Sequence, residues 1–290
     1  MIKSVAFIGL GAMGYRMAAH LPKKFDTVYV WNRNFSKAEQ HAKTYGTQAV
    51  DLAQAVQADI IFSCLPTSQD VIELIESVRL KENTIWVDCT SGVPDAAKQL
   101  AEKLKSLQVG FLDAPVSGQT IGAENGTLTV MVGGQAQYFE KVRPALECFG
   151  QLIKHVGESG AGFAVKAVNN MLLAVQLCAV SEGCATLKAH GVELSEALDC
   201  INASSGQSFV TSTVFPNRVL NQTFPVTFAL PLLAKDTSIA VDLVHQVKLA
   251  APVLSLTQSL VQVANRTLGD NNDFSATAKM YESWSNFKFE

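Results

Sequence analysis

The sequence predicts an α/β domain built on a parallel sheet, followed by an all-α C-terminal domain. Three observations predict it. Short apolar runs alternate with helix-period patterns over the first 160 residues, as a parallel sheet with crossover helices requires. The first run, Val5–Ile8, stops at a glycine-rich turn, Gly9-Leu10-Gly11-Ala12-Met13-Gly14. Beyond Gly160 the alternation ends and long helical patterns run to the C-terminus. The domains are therefore drawn as 1–160 and 161–290, with the change of character at Gly157-Glu158-Ser159-Gly160-Ala161-Gly162.

The first turn has a physical reading. Gly9 lets the chain leave a strand tightly, Gly11 removes a side chain where a pyrophosphate must approach the backbone, and Gly14 lets the next helix pack on the sheet. N–H groups at that helix start face an anion. Glycines also make ordinary turns, but Val5–Ile8 before and the helical spacing of Met13, Met17, Ala18 and Leu21 after supply the context of a dinucleotide site. The expected cofactor cradle is Gly9, Gly11, Ala12, Met13 and Gly14, in a Rossmann domain.

Thr27–Trp31 reads as the second strand, ending in Asn32-Arg33-Asn34-Phe35-Ser36-Lys37. An acid here would accept hydrogen bonds from the ribose 2′-OH of NAD, and none is present. Arg33 can lay its guanidinium against a 2′-phosphate, with Asn32, Asn34, Ser36 and Lys37 beside it, which favours NADP over NAD. The plainer alternative is a solvated helix start capped by Ser36.

Alternation continues through Asp59–Leu65 and Thr84–Cys89, nearly all-apolar runs suited to strands buried on both faces. The loops that follow, with Leu65, Pro66 and Thr90, leave carboxyl ends of strands and should border the nicotinamide half of the cofactor. Helices are expected over Val71–Ile75 and Pro94–Leu107, further strands at Gly110–Leu112, Thr127–Val132 and Leu152–Val156, and a helix at Gln137–Phe149. A long helix should run from about Gly162 to His190.

Composition excludes several rivals. With 290 residues and 48% hydrophobic content the chain can bury two cores. A formal net charge of −3 without Lys/Arg blocks offers no footprint for nucleic acid or an anionic membrane. No basic and apolar leader pattern follows Met1, and no apolar run looks long enough to span a bilayer, so a cytoplasmic protein is expected. The six cysteines lack C-x-x-C pairing and read as buried free thiols. The five histidines lack ligand spacing, and no metal is expected.

Two later segments carry chemistry. Asp113–Leu128 is rich in small and polar residues, and Ser117-Gly118 can offer a hydroxyl and a backbone N–H to a carboxylate, although an incidental surface loop would look the same. In Gly162–Ala174, Lys166 and Asn170 share one helix face among the apolar Phe163, Ala167, Met171 and Ala174. A lysine on such a helix either snorkels or functions, and an amide one turn away favours function.

Together, the glycine turn, Asp113-Ala114-Pro115-Val116-Ser117-Gly118, the Gly160–Asn170 segment and Lys235-Asp236 resemble the four ordered signatures of the β-hydroxyacid dehydrogenase family. That family includes 3-hydroxyisobutyrate dehydrogenase and the tartronate, glyoxylate and succinic semialdehyde reductases. The resemblance covers about Ile2 to Ala240. It implies catalysis by Lys166 with Asn170 in support, substrate carboxylate binding at Ser117 and Gly118, Lys235 near cofactor and substrate, and Phe228 lining the pocket. It also implies hydride transfer between NAD(P) and a small 3-hydroxy acid or its semialdehyde, and homodimers or homotetramers built through the helical domain. The sequence departs at Gln119, where the family usually has a second glycine, which places a side chain beside the expected carboxylate site. A non-catalytic cofactor-dependent binder of the same fold and an imine-reducing enzyme are the other classes; the lysine at 166 argues against both.

Overall fold

The computed structural model describes residues 2–290. Two compact units emerge, Met1–Lys166 and Ala167–Glu290.

The first unit carries a nine-stranded sheet: β1 (Ser4–Ile8), β2 (Thr27–Trp31), β3 (Gln48–Ala49), β4 (Ile60–Ser63), β5 (Ile85–Asp88), β6 (Gly110–Asp113), β7 (Val116–Ser117), β8 (Leu128–Gly134) and β9 (Gly150–Gly157). Its order is β3-β2-β1-β4-β5-β6-β8-β7, with β9 on β8, and β1 to β6 pair in parallel. The crossover returns at β1, where the order runs outward in both directions, so the ligand-bearing carboxyl ends lie beside the first turn. β8 runs antiparallel to β6 and β7.

Period-two alternation gives the sheet two buried faces. Val5, Phe7, Phe62, Val87 and Leu112 enter one core cluster, while Ala6, Ile8, Ile61, Trp86 and Phe111 enter another. Both faces are covered, which is why these strands read as unbroken apolar runs. On the second face the apolar row Ile61, Trp86, Phe111 is followed by the polar row Ser63, Asp88, Asp113, in register at the carboxyl ends of β4, β5 and β6 and buried throughout.

Three local features differ from the sequence reading. β3 and β7 are two residues long, too short to show a period. The helix after the glycine turn spans only Gly14–Ala18, and a 3-10 turn at Leu21–Lys23 takes over where Pro22 has no N–H for an α-helical ladder. Asp113–Leu128 is not one loop: it contains β7 and a helix, Gln119–Asn125.

The division between the two compact units falls inside the 29-residue helix Ala161–Ala189. Its opening belongs with the sheet because Asp113 accepts hydrogen bonds from the N–H groups of Gly160 (2.7 Å) and Phe163 (3.0 Å), and Phe163 packs in the cluster with Trp86 and Phe111. By length and composition this helix could cross a bilayer, contrary to the expectation that no run is long enough. Its apolarity has a local account, since Met171, Ala174, Leu177 and Cys178 are buried in cores of the second unit.

That second unit is helical apart from an isolated bridge between Ala229 and Asp273. Leu194–Asn202, a π-helix at Val210–Val219, Leu230–Gln246, Pro252–Leu268, a 3-10 turn at Phe274–Thr277 and Ala278–Ser285 follow the long helix. Leu177, Phe215, Leu233, Phe274 and Phe289 centre the larger core. Along the helical stretches 171–180 and 230–247, Leu177, Leu230 and Leu233 enter this core, Met171, Ile239 and Val241 enter a smaller one, and Leu172, Leu232 and Val247 are exposed. Exposed apolar residues of this unit include Val247, Leu249, Val253 and Leu256. All six cysteines are free; Cys89, Cys178 and Cys184 are buried as expected, whereas Cys64 and Cys148 are half-buried and Cys200 is exposed. Burial pushes the Cys64 thiol up to about 12 and raises that of Cys89, so neither is a reactive thiolate.

Candidate functional site

In the first unit the glycine turn is shaped by close approach. Gly9 sits at φ +95°, and a Cβ there would run into the carbonyl of Cys64 and lie 2.8 Å from the Leu65 side chain. At Gly14 a Cβ would run into the carbonyl of Gly9. Gly11 is different: where its Cβ would stand, no protein atom lies within 4 Å. Two glycines thus close the turn on itself and the third leaves its outer side open, the shape a pyrophosphate needs to reach the backbone. A groove lined by Leu10, Gly11, Ala12, Tyr15, Arg16, Lys37 and Gln40 adjoins it. Ala12 and Met13 complete the turn. Arg16, which the sequence reading did not single out, donates to the Ala12 carbonyl at 2.7 Å and pairs with Glu124 at 2.8 Å.

At the end of β2, Asn32 has a structural task. Its Oδ1 accepts from Leu10 N at 3.0 Å and its Nδ2 donates to the Asn34 carbonyl at 3.0 Å, tying the glycine turn to the second strand. Ser36 donates to Asn34 Oδ1 at 2.7 Å. One Asn32 Nδ2 hydrogen and the Ser36 hydroxyl are thus already engaged with Asn34. The exposed Arg33 and Lys37 supply the positive charge, and no carboxylate stands at this strand end.

The polar row organises the next two loops. Asp88 Oδ1 accepts from Ser63 Oγ (2.9 Å) and Thr90 N (3.0 Å), and Trp86 Nε1 donates to Ser63 Oγ at 2.8 Å. Thr90 Oγ1 in turn accepts from Leu65 N at 3.1 Å. Leu65 is therefore held by Thr90, and Thr90 by Asp88, while Pro66 is exposed at the loop's edge. Buried Thr90 braces the loop that carries Leu65 and Pro66.

Ser117 pairs with Thr129 across β7 and β8 and is half-buried; Gly118, at φ +135°, precedes Gln119 at φ +57°. A non-glycine residue held in the left-handed region costs about 1 kcal/mol. Gln119 opens its helix under that cost, where the family's usual glycine would not.

Lys166 lies at the end of the first unit, half-buried, on the second turn of the long helix. One turn on, in the second unit, Asn170 is buried and its Nδ2 donates to Asp236 Oδ2 at 2.6 Å; Asn170 Oδ1 accepts from Asn169. Asp236 Oδ1 stands 3.2 Å from Lys235 Nζ. Asn170, Asp236 and Lys235 are thus one cluster, in which a single buried carboxylate holds both an amide and an ammonium. Asp236 was quoted in the sequence only as part of a signature. Phe228, half-buried, is clamped between its N–H bond to Asp273 Oδ2 (3.1 Å) and its carbonyl's bond from Phe274 N (2.9 Å).

The residues that sequence reasoning missed are chiefly aspartates. Asp88 and Asp113 each end an apolar run, a visible signal, because a carboxylate closing a buried strand must find donors. Burial pushes the Asp113 carboxyl up to about 6, against the N–H bonds from Gly160 and Phe163 and with a smaller push from neighbouring Asp88.

The open side of Gly11, the groove beside it and the cationic end of β2 fit a nicotinamide dinucleotide. Comparison with known proteins agrees. A family model described as the NAD binding domain of 6-phosphogluconate dehydrogenase matches residues 4–157, and one described as NAD-binding of NADP-dependent 3-hydroxyisobutyrate dehydrogenase matches residues 160–281. The 2-(hydroxymethyl)glutarate dehydrogenase of Eubacterium barkeri is 33% identical, covering 96% of this chain and 94% of its own. The NAD-dependent L-serine dehydrogenase of Pseudomonas aeruginosa is 32% identical over 97% of this chain and 98% of its own. A solved 3-hydroxyisobutyrate dehydrogenase of Mycobacterium tuberculosis with L-serine superimposes with a TM-score of 0.88 at 30% identity, over 97% of this chain and 99% of that one. The chain therefore belongs to the 3-hydroxyisobutyrate dehydrogenase family of nicotinamide-dependent oxidoreductases.

Proposed function

We propose that this enzyme prefers NADP(H) and interconverts a small 3-hydroxy acid and its semialdehyde, with 3-hydroxyisobutyrate-like compounds as the first substrates to try. The observation that carries this reading is Lys166, one helical turn from an amide that a buried carboxylate anchors. The named substrates of the relatives support the class. 3-Hydroxyisobutyrate, L-serine and 2-(hydroxymethyl)glutarate share a primary alcohol on the carbon next to a carboxylated carbon, and differ in the third substituent.

A nicotinamide held at the glycine turn would supply or accept the hydride. Lys166 Nζ handles the proton at the substrate oxygen: as an amine it takes the hydroxyl proton during oxidation, and as an ammonium it polarises the carbonyl and gives the proton back during reduction. Ser117 Oγ and Gly118 N–H hold the carboxylate, which orients the alcohol carbon. Asn170, fixed by Asp236, adds a hydrogen bond at the substrate hydroxyl, and Lys235 a positive charge. Arg33 and Lys37 face the 2′-phosphate. Gln119, next to Ser117 and Gly118, takes up room at the carboxylate and favours a small or polar third substituent. Glyoxylate and succinic semialdehyde are the second set of substrates, because that side chain takes up room beside the carboxylate.

The exposed apolar residues Val247, Leu249, Val253 and Leu256 support assembly into a homodimer or homotetramer. Light scattering at micromolar concentration tests this; a mass of 31.2 kDa, that of one chain, refutes it. Steady-state assays with NADPH and NADH against a panel of 3-hydroxy acids and semialdehydes test the activity. Turnover of the primary alcohols with NADP above NAD is expected. Equal use of both cofactors overturns the preference, and no turnover across the panel overturns the reaction.

A further inference from the structure

Asp113 closes β6 with no exposed surface, among groups that the proposed chemistry does not use. Its two oxygens serve one purpose. Oδ1 accepts from Gly160 N at 2.7 Å and Oδ2 from Phe163 N at 3.0 Å, so a carboxylate from the sheet caps the start of the helix that bears Lys166 one turn later. The surroundings are cut to fit this contact. A Cβ on Gly133 would lie 2.6 Å from Asp113 Oδ1 and 2.7 Å from Oδ2, and one on Gly162 would lie 2.8 Å from the Asp113 carbonyl and run into that of Met131. Gly160, at φ +94°, would place a Cβ 2.8 Å from the Pro94 carbonyl. Phe163 fills the space over Gly92, whose Cβ would collide with its ring.

We propose that Asp113 is a positioning residue for Lys166: by holding the N–H groups of Gly160 and Phe163 it fixes the height and rotation of the helical turn that carries the lysine. This rests on the reading of Lys166 as the proton-transfer group. Lys166 follows Phe163 by three positions, so any rotation or slip of the capped turn is passed to the lysine. A carboxylate is the suited group because it offers two acceptors and no hydrogen, whereas a carboxamide must turn its NH2 against one of the two N–H donors. Burial works against a charge here, pushing its carboxyl up to about 6. A chain needing only a plug at this point would be served by an apolar residue.

The test compares Asp113→Asn, Gly133→Ala and Lys166→Ala in the full-length enzyme. Gly133→Ala pushes on the same carboxylate from the other side and covers the case in which Asp113→Asn does not fold. Four quantities are read: kcat, KM for the alcohol substrate, NADPH affinity by fluorescence, and the rate at which Lys166 is acylated relative to the other lysines by competitive labelling and mass spectrometry. The expected result is a kcat lower by about tenfold or more, since small misplacements of a reacting group cost that much, with NADPH affinity within about twofold of wild type and a changed Lys166 labelling rate. Wild-type kcat and labelling in Asp113→Asn overturn the proposal, as does a uniform loss of kcat, NADPH affinity and melting temperature, which marks general structural support. Lys166→Ala reads the underlying function separately. If it keeps wild-type kcat, that function is wrong, while a changed labelling rate in Asp113→Asn still upholds the positional effect.

Discussion

The two units build their polar sites by different means. At the sheet, Ser63, Asp88 and Asp113 stand side by side because three parallel strands end in register; Asp88 and Asp113 hold a loop and a helix start through backbone N–H groups, and Ser63 braces Asp88. In the helical unit, Asn170 and Asp236 lie 66 residues apart and meet side chain to side chain. Strand ends give a rigid row of acceptors whose spacing the ladder sets. Helices give a cluster whose spacing depends on how two helices pack. The first arrangement suits holding backbone in place; the second suits presenting side chains to a substrate.

Removing the group assigned to proton transfer is the strongest way to break this picture. Lys166→Ala should lower kcat by on the order of 10³-fold with NADPH affinity nearly intact, because the glycine turn and β2 are untouched. Single-turnover kinetics decide it, and near-normal hydride transfer removes Lys166 from the mechanism.

A change at the sheet's cofactor end should leave the helical cluster unaffected. Arg33→Asp is expected to weaken NADPH by about 100-fold, losing a charge-assisted contact and adding repulsion, while NADH changes little. Fluorescence titration with both cofactors measures the difference; parallel shifts mean that Arg33 does not read the 2′-phosphate.

The converse change sits in the helical unit. Asp236→Asn removes the shared acceptor of Asn170 and Lys235, and should lower kcat by about tenfold at unchanged NADPH affinity. Unchanged turnover would show that the cluster supports folding alone.

The smallest effect sharpens the sheet side. The Asp113 carboxyl is raised from 3.8 to about 6 in the folded protein, so between those values the folded state binds more protons than the unfolded one. Its contribution to stability is complete below the unfolded value and is lost as pH rises through the folded value. Between pH 7.5 and 5.5 wild type should gain about 1 kcal/mol relative to Asp113→Asn, about 2 °C in Tm. Calorimetry of both proteins across that range checks the sign, and a fall in wild-type stability relative to Asp113→Asn on acidification contradicts the assignment.

Much of this was legible in the sequence. The runs around Phe7, Phe62 and Val87 read as strands because both faces of the sheet are covered, and Lys166 and Asn170 share a helix face at a spacing visible without coordinates. Asn32 and Thr90 were harder. Both occupy positions where a ligand contact is expected, and that their side-chain oxygens accept from Leu10 N and Leu65 N depends on loops brought together from 22 and 25 residues away. The π-helix at Val210–Val219 carries no 3.6-residue period, and Cys200 sits in an apolar pattern yet on the outer side of its helix.

By itself the sequence determined the alternation of strands and helices, the glycine turn, the absence of an acid after Trp31 and the family, because periodicity and short-range spacing are properties of neighbouring residues. Tertiary structure alone decided that Asp88 and Asp113 stand abreast, that Asp113 caps the helix of Lys166, and that Asp236 anchors Asn170. Those pairings join residues 25 to 66 positions apart, and the requirement that every buried carboxylate find donors selects among partners only once the sheet register and helix packing have brought them within reach.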